Sequence, residues 1–121
     1  MKIRNTNINN GNWFSDKSND FKYYKKLVIS ETNKNIKILM EKWDGFDYYD
    51  NENISEYLSL DYNDKKYPTI DHKISVKYGF LNSILPKIIG SIDNLCLTKR
   101  SVNSKKNSKN ENEFIVEYLL S

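Results

Sequence analysis

Two short stretches of the chain, YPTIDHKISV at 67–76 and NLCLTK at 94–99, alternate apolar with polar residues. On a strand this spacing puts Ile70, Ile74 and Val76 on one face of the first stretch, and Leu95 and Leu97 on one face of the second. Pro68 suits the first residue of a strand, which then runs through Asp71-His72 or ends there. Between the two lie residues 77–93, KYGFLNSILPKIIGSID, where Pro86 starts a short helix that Gly90 ends. A bare loop of that length is unusual in a small domain. Tyr78, Phe80 and the rest of 79–90 are either core filler or an element that enters a groove.

The remainder of the chain is mostly helical in pattern, which predicts an α+β class. Ser18 or Asn19 can cap a helix in which Phe21, Tyr24, Leu27 and Val28 form one stripe. A second helix is expected over about 35–43, with Ile36, Leu39, Met40 and Trp43 on one face before Asp44-Gly45 breaks it. Residues 46–49 read as a short strand. Residues 50–66 are polar and turn-rich, anchored by Ile54, Tyr57, Leu58 and Leu60. After Thr98 the pattern becomes helical again, with Lys99, Asn103 and Lys106 on one face and Arg100 beside them. A last helix starts near Asn110, with Glu113 at the third position of a capping box and Phe114, Ile115, Tyr118 and Leu119 turned inward. Residues 1–18 are expected as an irregular arm that docks through Trp13 and Phe14, leaving 19–121 as a single domain.

Composition narrows the classes. The chain has 121 residues, 38% of them hydrophobic, which suits one domain with a modest core. No apolar run approaches a membrane span and the first twenty residues lack a signal-peptide centre, so an intracellular protein with no membrane partner is expected. The single Cys96 excludes an internal disulfide and a Cys-Cys zinc clamp. Net charge is +3, from 19 basic and 16 acidic side chains, too mild by itself to announce a polyanion partner. Its distribution is uneven. Residues 98–109 carry Lys99, Arg100, Lys105, Lys106 and Lys109 with no acid, whereas 41–53 carry five acids against Lys42. Taken alone, such a basic run is more often a solvated face than a binding surface. Abundant Asn, Lys, Ile and Tyr, with no Ala or Gln, is the profile of AT-rich coding DNA, as in many phages, so single Asn or Lys residues carry little weight.

The chain's one histidine, His72, follows Asp71 directly; Asn94-Leu95 opens the next strand, and Asn103 follows in the basic helix. That order of strand, loop, strand and basic helix, with IDHKISV at its opening and NLCLTKRSVNSKKN at its end, resembles the HNH endonuclease family in its Asp-His…Asn…Asn form. The resemblance covers about 43–109 and implies a ββα-metal core, here with N-terminal helices and a C-terminal helix. It implies Asp71 as a metal ligand, His72 as general base, Asn94 as the brace of the loop and of His72, and Asn103 as second metal ligand. It further implies a DNA endonuclease that leaves 5′-phosphate and 3′-hydroxyl ends; the sequence leaves open whether one copy nicks and a homodimer makes a double-strand break. Family members that bind a structural zinc use paired cysteines, which this chain lacks, so no structural zinc is expected.

The chemistry suits those residue types. A neutral imidazole accepts a proton from water near neutral pH, and a cation takes up charge on the phosphate and the departing oxygen. A carboxylate and an amide oxygen suit Mg²⁺, with Mn²⁺ as a substitute. Lys99, Arg100, Lys105 and Lys106 would grip flanking phosphates, giving salt-sensitive binding with little sequence information. Neighbouring strand residues point to opposite faces, so Asp71 is expected to meet Asn103 across the metal while His72 approaches from the other side, held by Asn94. Two readings without catalysis stand beside this one: a nucleic-acid-binding module or accessory subunit on the same scaffold, and an interaction protein whose Asp-His pair has no role.

Overall fold

The computed structural model describes residues 17–119. Among them are five α-helices and one two-stranded antiparallel sheet, an α+β arrangement. The first helix, α1, runs unbroken over Lys17–Lys42, where the sequence pattern suggested two helices. The polar residues between the two apolar stripes include neither Gly nor Pro, and they are held within the helix by their own bonds. Thr32 Oγ1 donates to the Val28 carbonyl (2.8 Å), Lys34 pairs with Glu31 (3.0 Å), and Asn35 Nδ2 donates to the carbonyls of Glu31 (3.2 Å) and Gly90 (2.9 Å). Residues 17 and 18 of the expected arm belong to α1, so Ser18 and Asn19 lie inside its first turn rather than ahead of it. Trp13 and Phe14 fall outside the described residues.

Strand β1, Pro68–His72, pairs with β2, Leu95–Lys99, in the register Pro68↔Lys99, Asp71↔Cys96 and His72↔Leu95. The alternation beyond His72 belongs to the turn into α2, Val76–Leu81, with Ser75 as its cap, and Ile74 packs with the core beneath α1. Each sheet face is covered differently. Leu39 of α1 packs on Leu95 and Leu97, with Ile70 and Trp43 beside them. The opposite face buries Cys96 with Tyr49, Val102 of α4 (Arg100–Lys106) and Phe114 of α5 (Glu111–Leu119). At the N-terminal end of α5, Glu113 accepts the Asn110 backbone N–H (3.2 Å), while the Asn110 side chain turns away to accept from Ser75 N (2.8 Å).

Within residues 77–93, Phe80, Pro86 and Ile89 fill the core, while Tyr78, Leu81, Leu85 and Ile88 are exposed. α2 and α3 (Pro86–Ile89, with Pro86 at its first turn and Gly90 at its end) bury Phe80 and Ile89 against Tyr24 and Val28 of α1. Two glycines make this approach feasible: a Cβ on Gly79 would stand 2.4 Å from the Tyr24 hydroxyl, and one on Gly90 would stand 2.8 Å from Thr32 N. Gly90 thus lets α3 close against the turn of α1 that carries Thr32.

Residues 46–49 do not form the expected strand. They belong to a loop closed by one bridge, Phe46↔Asn53, and clasped onto β2. Tyr48 N donates to the Leu97 carbonyl (2.9 Å), and the buried Asp47 carboxylate accepts from Thr98 Oγ1 (2.8 Å), Lys99 N (2.8 Å) and Tyr49 N (2.9 Å). A buried carboxylate satisfied by so many donors turns an apparently alternating strand into an anchor. Of the anchors expected in 50–66, Ile54 is buried and Tyr57 half-buried, while Leu58 and Leu60 are exposed around the 3-10 turn Ser55–Ser59. No described helix is long and apolar enough to cross a membrane.

Candidate functional site

His72 ends β1 on the face covered by α1. Its Nε2 lies 2.9 Å from Thr32 Oγ1, and that hydroxyl spends its single proton on the Val28 carbonyl. The hydroxyl oxygen is therefore the acceptor, Nε2 carries the imidazole proton, and Nδ1 is left with a free lone pair. Burial, reinforced by the charge of Lys106, pulls the imidazole pKa down to about 4, so the ring is neutral at pH 7. His72 borders a groove of about 630 Å³ between α1 and α4, with Asn103, Arg100 and Tyr62 along its walls.

Asp71 points to the other face of the sheet, beside its register partner Cys96. Tyr49 donates its hydroxyl to Oδ2 (2.6 Å), and the Lys106 ammonium lies 3.2 Å from Oδ2 and 3.3 Å from Oδ1. Lys106 also donates to the His72 carbonyl (2.9 Å) and has no exposed surface. Burial pushes the Asp71 carboxyl above its ordinary range, while Lys106 and Tyr49 pull it back. The same burial raises the Tyr49 phenol and the Cys96 thiol, which leaves Cys96 an inert strand residue.

Asn94 is buried and clasps the chain just past His72. Its Oδ1 accepts from Ile74 N (2.8 Å), and its Nδ2 donates to the carbonyls of Ile74 (3.1 Å) and Ile89 (2.8 Å). It ties down the chain after β1, whereas the imidazole itself is held by Thr32 and not by Asn94. Asn103 of α4 donates through Nδ2 to Thr69 Oγ1 (3.1 Å) and to the Ile70 carbonyl (3.3 Å), fastening α4 to the edge of β1 rather than reaching Asp71. Asp71, His72, Asn103 and Lys106 nevertheless border one adjoining cavity of about 680 Å³. Among the described residues no second strand pairs with the outer edge of β1, so residues on its two faces reach the same groove. Oxygen donors from Asp71 and Asn103 have the hardness Mg²⁺ requires, yet the only carboxylate among them is already bonded to an ammonium. As arranged here, this donor set does not fit a divalent ion.

The expected phosphate grip is smaller than four residues. Lys99 is buried, its ammonium pairing with Asp50, with Glu52 (2.5 Å) and with Asp47 (3.6 Å), and Lys106 is spent on Asp71. Charges segregated along the sequence meet in space: the acidic 41–53 loop supplies the partners of Lys99. Arg100 remains in the groove wall, its guanidinium 4.7 Å from the Tyr62 ring and donating to the Tyr62 carbonyl. Lys105 is exposed beside Tyr118. Thr32, Tyr49 and Tyr62 had no signal in the sequence; Thr32 is 40 positions from the histidine it holds.

Comparison with protein-family models, with curated proteins and with solved structures gave no match.

Proposed function

We propose that the chain is an HNH-type endonuclease that hydrolyses phosphodiester bonds of DNA lying in the groove between α1 and α4. The observation that carries this reading is that Asp71, His72 and Asn103 border one groove, on a β1, β2, α4 succession in the order of a ββα core. In this mechanism His72 Nδ1 takes the proton of the attacking water, for which a neutral imidazole is required. Thr32 keeps the other ring proton on Nε2, and Asn94 ties down the chain that follows the base. Arg100, in the groove wall, holds a phosphate flanking the scissile bond. The Mg²⁺ or Mn²⁺ that such an enzyme would use at Asp71 and Asn103 does not fit the pair as arranged, with Lys106 on the carboxylate, and no step is routed through it.

One observation favours a second reading, a nucleic-acid-binding module without cleavage: the Asp71 charge is already neutralised inside the fold. Supercoiled plasmid incubated with the protein and Mg²⁺ separates the two. Nicking that vanishes in His72→Ala and in EDTA supports the enzyme; retention of plasmid without nicking supports the module, and neither result leaves an interaction protein.

A further inference from the structure

We propose that Tyr62 is a stacking platform for one unpaired base, so that the groove between α1 and α4 takes DNA with an unpaired nucleotide beside the scissile phosphate ahead of a fully paired duplex. This rests on the reading of that groove as the one that receives DNA. Tyr62 is 67% exposed, yet its backbone is held firmly. Asp64 N donates to the Asp61 carbonyl (2.9 Å) and Asn63 N to Asp61 Oδ1 (2.8 Å), which closes the turn that carries it. Three bonds then tie this loop to the start of α4: Arg100 N to the Tyr67 carbonyl (2.9 Å), Ser101 N to the Lys65 carbonyl (2.9 Å), and the Arg100 guanidinium to the Tyr62 carbonyl. Tyr67 meets the Tyr62 ring edge to face at 5.3 Å, and the guanidinium lies 4.7 Å from its centre. A ring fixed this well and still mostly in solvent adds little burial to the fold; it has the pre-organisation that binding surfaces use.

The rest of the groove selects the partner. Its volume of about 630 Å³ is bordered by Ile29 and Ile36 of α1 and by the amides of Asn33, Asn103 and Asn107. Among the described residues that line it there is no acid, and Arg100 is the only cation. One cation is a weak hold on a polyanion. Aromatic and apolar area interleaved with amides suits a nucleobase instead, whose faces stack and whose edges hydrogen-bond. Arg100 Nε is also buried with no partner, so the guanidinium borders the groove with its hydrogen bonds incomplete. In a paired duplex each base face is covered by its neighbours, leaving phosphates, sugars and base edges to a protein. A face is offered only by a base out of the stack. His72 is half-buried in the same lining, so a strand that loops in to reach it brings such a base with it.

The test is binding in EDTA, followed by fluorescence anisotropy, of a labelled duplex and of the same duplex with one thymine bulged out. The bulged duplex is expected to bind about tenfold more tightly. Tyr62→Ala should lose most of that preference and Tyr62→Trp should keep it. Equal affinity for the two DNAs in wild type, or a preference that survives in Tyr62→Ala, overturns the proposal. Should Tyr62→Ala fail to fold, wild type answers through photocrosslinking of 5-iodouracil placed at the bulge, with the attached residue read by mass spectrometry. Attachment to Tyr62 is expected; attachment at other residues alone overturns the proposal. Plasmid nicking is scored separately. Preference for the bulge without nicking leaves the platform standing and removes the nuclease reading, whereas nicking with no preference for the bulge does the reverse.

Discussion

Thr32→Val removes a hydroxyl while keeping the side-chain volume, and its consequences can be worked from two distances. The hydroxyl gives its proton to Val28 at 2.8 Å and takes the His72 Nε2 proton at 2.9 Å. Val28 O keeps its helical partner in the variant, so the group left orphaned is the half-buried Nε2–H, at a cost of about 1–3 kcal/mol in stability. That bond also biases the tautomer. At a net worth of about 1 kcal/mol it shifts the ratio of Nε2–H to Nδ1–H forms about fivefold, and every molecule with its proton on Nδ1 has lost its base. Together with loosened ring orientation, the expected loss in cleavage rate is about 10- to 100-fold. His72 is the only histidine in the chain, so its ring nitrogens give an unobscured ¹⁵N spectrum in which the tautomer is read directly. A variant that keeps the Nε2–H tautomer and the wild-type rate while losing stability would refute the reasoning and reduce Thr32 to a packing residue.

Other perturbations probe other parts of the account. The imidazole pKa lies near 4 in the fold against 6.5 for a free histidine, so the unfolded chain binds the extra proton first. Stability present above pH 6.5 is lost as pH falls toward 4, by up to about 3 kcal/mol; urea melts across that interval should show the slope, and His72→Phe should flatten it. Cleavage should likewise keep its rate well below pH 6.5, and an acid limb at 6.5 would contradict a buried base. Asp47→Ala leaves Thr98 and the backbone N–H groups of Tyr49 and Lys99 without their acceptor, for an expected loss of about 3 kcal/mol or more, measured by thermal or urea unfolding. Arg100→Gln should reduce the salt dependence of DNA affinity, measured by fluorescence anisotropy, by about one phosphate contact, whereas Lys105→Gln, on the side of α4 that meets Tyr118, should change it less. An unchanged slope in Arg100→Gln removes the groove from the interface.

Period and punctuation made part of this fold legible before any coordinates. The faces of β2 follow from Leu95 and Leu97, and α3 follows from Pro86 and Gly90, because strand alternation and helix ends are local properties. What was misread depends on partners far along the chain. Residues 46–49 alternate like a strand, but Asp47 faces inward because Thr98, 51 positions away, and its neighbours supply donors. The polar 30–34 stretch reads as a break between two apolar stripes, and the bond from Asn35 just beyond it to the Gly90 carbonyl has no signature in sequence. The site divides in the same way. That Asp71 and His72 face opposite sides of β1 follows from strand alternation, whereas the inward turn of Lys99 and Lys106 has no local signal, since a lysine is solvent-exposed unless a specific acid says otherwise. Tyr49 and Thr32 act through single hydrogen bonds on residues 22 and 40 positions away, a distance over which no spacing rule operates.

The central claim is that one groove brings a base and a phosphodiester together. A crystal structure of His72→Ala bound to an uncleaved DNA duplex tests it most directly. The account predicts a backbone phosphate in the groove between α1 and α4, opposite Thr32 and alongside Asn103, with Arg100 on a neighbouring phosphate. DNA seated on another face, such as the α2–α3 hairpin or the exposed side of α5, would contradict it.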